Sequence, residues 1–181
     1  MLPKQIENRP GGGNIAEDFR ARAKYVCDKA TTIKLINMTG TWETAAKQMA
    51  FTAGLNPRKH TACSHVVCSW SEAEPHPDAE LILAMQMVLQ ELGAGDHQAV
   101  IGIHRDRPSA HAHAVLNLVH PVTGVALSMS NSFARLELAC RRIERRMGWP
   151  SDRGRFDVAM DGDEIVLRPC SSATWGTDPF M

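Results

Sequence analysis

Apolar residues along this chain recur with two periods, and the switch between them lays out the elements. From Asn14 to Ala30 the positions Ile15, Phe19, Ala23, Val26 and Ala30 fall three and four apart, the spacing of one helix face. A second helix is predicted from Trp42 to about Leu55, capped by Thr41 and closed by Asn56-Pro57. A third runs from Ala79 to Leu92 and closes on Gly93. A fourth, capped by Asn131 or Ser132, carries the stripe Phe133, Leu136, Cys140, Ile143 and Met147. Between the helices, Thr31 to Asn37, His60 to Trp70, Val100 to His104 and His111 to Asn117 read as strands. The turn Pro121 to Gly124 leads into a short strand, Val125 to Met129. Phe156 to Met160 and Glu164 to Leu167 alternate around Asp161-Gly162-Asp163, a hairpin signal.

The six residues between His104 and His111 can turn the chain back into an antiparallel hairpin. Ile101, Ile103, Ala112, Ala114 and Leu116 then share one face, and His104, His111, His113 and Asn117 share the other. The expected fold is α+β, an α/β sandwich. Its central antiparallel sheet has helices packed on the apolar face and a three-histidine metal site on the open face. A chain of 181 residues without internal repeats fits one domain, here residues 1–169. Residues 170–181 carry no structural pattern and read as an unstructured tail or the cut edge of a longer protein.

Composition narrows the partners more than the fold. Twenty Lys plus Arg balance twenty Asp plus Glu, so an anionic partner has to be held by a local patch. No apolar run approaches the length that spans a bilayer, and no signal-peptide core is present, so membrane insertion is not expected. Five cysteines without paired spacing fit reduced thiols and a cytoplasmic location.

The chemistry concentrates in His104-Arg-Asp106-Arg-Pro-Ser-Ala-His111-Ala-His113, where three imidazoles and a carboxylate occupy ten residues. Three neutral imidazoles on one sheet face are a donor set for a divalent metal, with a coordination position left for substrate. Imidazole donors alone favour Zn, Mn, Fe or Ni over Mg. Tyr25, the only tyrosine, stands about a third of a turn off its helix stripe, and Lys29 lies one turn along from it. Arg105 and Arg107 flank the histidines, while Arg141, Arg142, Arg145 and Arg146 cluster in the last long helix. The helix start at Asn131 and Ser132 can receive an anion. Trp42 and Trp70 read as core, and His65 as a histidine bonded within its strand. On these residues alone, a water-using metal hydrolase and a single-stranded DNA-binding module both remain open.

Five segments in order resemble the MOBP-type mobilisation relaxases, strand-nicking members of the HUH endonuclease group. His111-Ala112-His113 resembles the group's two-histidine signature, and His104-x-Asp106-x-x-x-x-His111-x-His113-x-x-x-Asn117 is similar to the family's longer motif. Tyr25-Val-Cys-Asp-Lys29, with Asn37-Met38 after it, resembles the tyrosine segment, and His65-Val-Val-Cys-Ser69 with Glu74 the second motif. Met1 to Ile6 resembles the family opening, and Ser128, Ser130 and Asn131 the segment after the hairpin. Arg105, Arg107 and Pro108 depart from the more acidic loops of relatives.

The resemblance implies cleavage of one DNA strand by Tyr25, with a 5′ phosphotyrosine bond and a free 3′ hydroxyl. It implies Asp106 or Glu74 as proton acceptor, and Mg or Mn held by His104, His111 and His113. Ser69, Asn117, Lys29, Arg105, Arg107, Ser130, Asn131 and Arg142 become candidate DNA contacts. Implied partners are single-stranded DNA at a transfer origin, an accessory DNA-binding protein and the conjugative coupling and secretion machinery.

Overall fold

All four helices expected from the three-and-four spacing form. The computed structural model of the protein describes residues 1–6, 14–71, 75–152 and 154–169. In chain order the elements are β1 (Leu2–Ile6), α1 (Ile15–Asp28), β2 (Ala30–Ile36), α2 (Trp42–Ala53), β3 (Cys63–Ser69), α3 (Asp78–Glu91), β4 (Ala99–His104), β5 (His111–Asn117), α4 (Ser132–Met147), β6 (Phe156–Asp161) and β7 (Glu164–Pro169). The Asn14 side chain accepts from Ala16 N–H and so caps α1. The Thr44 hydroxyl accepts from Thr41 N–H at the start of α2.

Five strands pair in the order β1-β3-β5-β4-β2, every neighbour antiparallel, and β6 and β7 form a separate hairpin. The sequence pattern misses β1, which lacks clean alternation and contains Pro3. It forms because it is an edge strand, the position where a proline is tolerated. The expected strand at Val125 to Met129 is reduced to one bridge, Val119 to Ala126. Residues 170–181 fall outside the described residues.

The open sheet face does not exist. Val66, Cys68, Ile101, Ile103, Ala112, Ala114 and Leu116 pack against α3 and α4 as expected. Val100, Val115 and Cys63 also pack, in a second core with Phe19, Ala23 and Val26 of α1 and Ala45, Ala46 and Met49 of α2. These strand residues belong to the histidine face, which is polar at one end of the strands and apolar at the other. Helices therefore cover both faces, two on each.

How closely α1 lies on the sheet is set at Gly102. A Cβ there would stand 2.6 Å from Val26 Cγ1 and 2.8 Å from the Val26 carbonyl oxygen, closer than a side chain allows. The missing side chain lets the helix seat directly over β4, and Tyr25 comes with it.

Candidate active site

Strand register assembles the histidines. His104 on β4 lies opposite His111 on β5, and Gly102 lies opposite His113. On the other flank, Ser69 faces His111 and Val67 faces His113 across β3. The His104 and His113 rings come to 4.2 Å between centroids, and the His111 and His113 rings to 6.2 Å. The hairpin expected from the sequence thus brings all three imidazoles together.

Each ring has a distinct environment. His104 is buried, and its Nε2 donates to the Val26 carbonyl at 2.8 Å, which leaves Nδ1 uncommitted. His113 is buried, with its Nδ1 3.1 Å from Nε2 of His65, also buried. Burial pushes His113 down to about 3 and His65 down to about 4, from an ordinary 6.5. His111 is half-buried; burial, then the Arg107 guanidinium, lowers its affinity for protons.

The donor chemistry fits a divalent cation, since metals bind neutral imidazole. The finished cluster expected from the sequence is nevertheless not drawn up. Among the described residues, no three His, Cys, Asp or Glu side chains are gathered to hold a metal ion as they stand. His104 shows one reason, since its Nε2 is turned away to bond α1.

Tyr25 stands over this patch. Its ring is 5.8 Å from His104, 5.8 Å from His113 and 6.2 Å from His65, each edge-on, and it is 48% exposed. A phenol at that exposure is reachable from solvent while its ring rests on the histidines. Lys29 lies 5.7 Å from the Tyr25 centroid, and its Nζ is 3.3 Å from Asp106 Oδ2. The Lys29 hydrogen bond holds the Asp106 carboxyl below the usual range, which weakens it as a proton acceptor. Glu74 lies outside the described residues.

Of the candidate DNA contacts, Ser69, Lys29, Arg105 and Arg107 fall at the histidine end. Arg105 is tied down by a bond from Nε to Asp78 at 2.8 Å and another to the His76 carbonyl at 2.5 Å. Arg107 is exposed.

Asn117 does not fit a DNA contact. It is 0% exposed at the far end of β5, donating to the Met49 carbonyl and Gln98 Oε1 and accepting from Val119 N–H. Ser130, Asn131 and Arg142 are displaced as well, because α4 packs on the face opposite the histidines. Arg142 pairs with Glu91 of α3 at 2.8 Å. Arg141 is buried, donating to the Met1 carbonyl at 2.5 Å and to Glu144 at 2.9 Å, so it fastens α4 to β1. Periodicity had placed these residues on a helix without saying which side of the sheet the helix covers.

One residue is bonded differently from the expectation, and another is not singled out by the sequence at all. His65 bonds across to β5 rather than within its strand. Asp78 accepts from the hydroxyls of Thr31 and Thr32, both at 2.6 Å, as well as from Arg105, clamping β2, α3 and the hairpin loop together. No spacing signals that clamp, since its partners come from three distant segments.

The fold and site define a class: an α+β domain with buried imidazoles beneath one accessible phenol. Residues 25–149 match the family model described as "Relaxase: MobA/VirD2-like, nuclease domain", and the chain belongs to that family. It is 34% identical over 109 residues to Protein MobA of Acidithiobacillus ferrooxidans, covering 59% of this chain and 27% of that protein. Two proteins named TraI from Escherichia coli are 26% and 25% identical, over 75% and 84% of this chain and 20% and 21% of their own lengths. The chain thus spans between a fifth and about a quarter of the curated relatives it matches. Among the described residues, no helix is long and apolar enough to cross a membrane.

Proposed function

We propose that this domain is the nicking centre of a relaxase, a site- and strand-specific transesterase acting on single-stranded DNA at a transfer origin. The observation that carries the reading is Tyr25, half exposed and edge-on to three buried imidazoles within 6.2 Å. The Tyr25 oxygen attacks the scissile phosphorus, a P–O bond forms, and the bond to the 3′ oxygen breaks. The 5′ phosphate stays on the tyrosine; the phenol's proton passes to water, and the 3′ oxygen takes a proton from water and leaves as a hydroxyl. Lys29 places positive charge beside the phenol, favouring negative charge on the attacking oxygen. Because Lys29 holds Asp106, that carboxylate serves better to fix the cation than to take the proton.

His104, His111 and His113 would hold a divalent ion, which when bound would supply a Lewis acid for the phosphate oxygens. Mn suits both the imidazole donors and the phosphate oxygens. Arg107, exposed in the hairpin loop, and Ser69, opposite His111, would contact the backbone beside the scissile phosphate, and Arg105, held by Asp78, would shape the loop edge. An accessory DNA-binding protein and the conjugative coupling and secretion machinery are the partners of the whole protein under this reading.

The test incubates the protein with Mn or Mg and labelled single-stranded DNA from its own transfer origin. An SDS-stable covalent adduct on the cognate strand is expected, and Tyr25→Phe should abolish both adduct and cleavage. Cleavage that persists in Tyr25→Phe would show a hydrolase using water instead.

A further inference from the structure

A buried imidazole has two nitrogens, and the hydrogen bond made by one decides what the other presents. His113 is 7% exposed and His65 is 3% exposed, with 3.1 Å between Nδ1 of the first and Nε2 of the second. A single hydrogen lies between them, because two N–H groups would collide and two lone pairs would repel. Burying an imidazole at this position costs free energy unless its polar atoms are used, so packing alone would be better served by an apolar side chain.

The neighbouring ring shows what such a choice does. His104 donates its Nε2 hydrogen to the Val26 carbonyl, so its Nδ1 keeps a lone pair. The His113 ring lies 4.2 Å from it, tilted by 34°. A hydrogen on Nδ1 of His113, donated to His65, leaves the lone pair on Nε2, the nitrogen on the side of the ring away from His65. A hydrogen on Nε2 would instead leave that nitrogen without a lone pair for a cation.

We propose that His65 is a positioning residue that accepts the Nδ1 hydrogen of His113 and holds that ring with its Nε2 lone pair turned to the site, ready for a divalent cation. What the cation does there rests on the relaxase reading; the hydrogen's position does not. Outer partners of this kind orient and tune ligating histidines, and their loss costs about 10- to 100-fold in metal affinity.

The experiment reads the hydrogen directly. In metal-free protein labelled with 15N in its histidines, the imidazole spectrum shows which His113 nitrogen is protonated. Wild type is expected to carry it on Nδ1. His65→Gln keeps an acceptor and should preserve that form, whereas His65→Phe removes it and should move His113 toward the Nε2-protonated form. Mn titration followed by electron paramagnetic resonance should show affinity falling about 10-fold or more in His65→Phe and little in His65→Gln. Wild type protonated on Nε2 overturns the proposal, as does a folded His65→Phe with unchanged tautomer and Mn affinity. Should His65→Phe fail to fold, the wild-type spectrum and the Gln variant still decide. A correct tautomer without any DNA adduct would overturn the relaxase reading and leave His65 in this role.

Discussion

At the scale of single residues, one position settles what the motif alone left ambiguous. Asn117 belongs to the same sequence pattern as the histidines and shares their face of β5, yet its environment is structural. Its amide joins α2 through Met49, β4's approach through Gln98 and the following turn through Val119, all without exposure. Asn117→Ala would strand several buried groups, at about 1–3 kcal/mol for an unsatisfied donor or acceptor. We expect a loss of about 3 kcal/mol in urea denaturation, with adduct yield per folded molecule unchanged. A normal stability combined with weaker DNA binding would instead make Asn117 a contact. The histidines were legible from type and spacing, because a period of two puts alternate residues on one face. Their hydrogen-bond partners were not, since Val26 and His65 are 78 and 48 residues away from His104 and His113.

Among the elements, the decisive contact is α1 on β4. Under the proposed function, Tyr25 acts only if the helix seats low enough to rest its ring on the imidazoles, and Gly102 permits that seating. Gly102→Ala would push Val26 outward, loosen the His104 bond to its carbonyl and shift Tyr25. A displacement of about 1 Å at a reacting group can cost on the order of 100-fold, so adduct formation should fall about 10- to 100-fold. Overpacking of this kind costs about 1–3 kcal/mol, which thermal melting would register. Full activity in Gly102→Ala would mean that the helix position is not what aligns the phenol. The sequence showed the glycine as one apolar-strand residue among others. The clash that gives it meaning depends on a helix 76 residues earlier in the chain.

For the whole molecule, covering the histidine face with α1 and α2 creates a pH dependence. His65 and His113 bind protons only near pH 4 and 3 when folded, against about 6.5 when unfolded. Below pH 6.5 the unfolded chain takes up protons that the native state refuses, so stability falls as pH drops from 6.5 toward 4. Above 6.5 both states are neutral and this contribution stays level. Each proton taken up costs about 1.4 kcal/mol per pH unit. The melting temperature of the metal-free protein should therefore be level from pH 8 to 6.5 and decline from 6.5 to 5. A melting temperature that rises over that lower interval would contradict buried neutral imidazoles.

The sequence by itself determined the helices, the histidine hairpin, its faces and the likeness to relaxases. All of these depend on local period and on residue types a few positions apart. Tertiary structure decided that the histidine face is covered, that α4 with Arg142 lies on the opposite face, and that β1 completes the sheet edge. It also decided that Tyr25 reaches the imidazoles and that His65 meets His113 across the sheet. The physical reason is common to these cases. A periodic pattern states which side of an element is apolar, but the partner that covers it is chosen by packing between segments far apart in the chain, as where α1 meets Gly102.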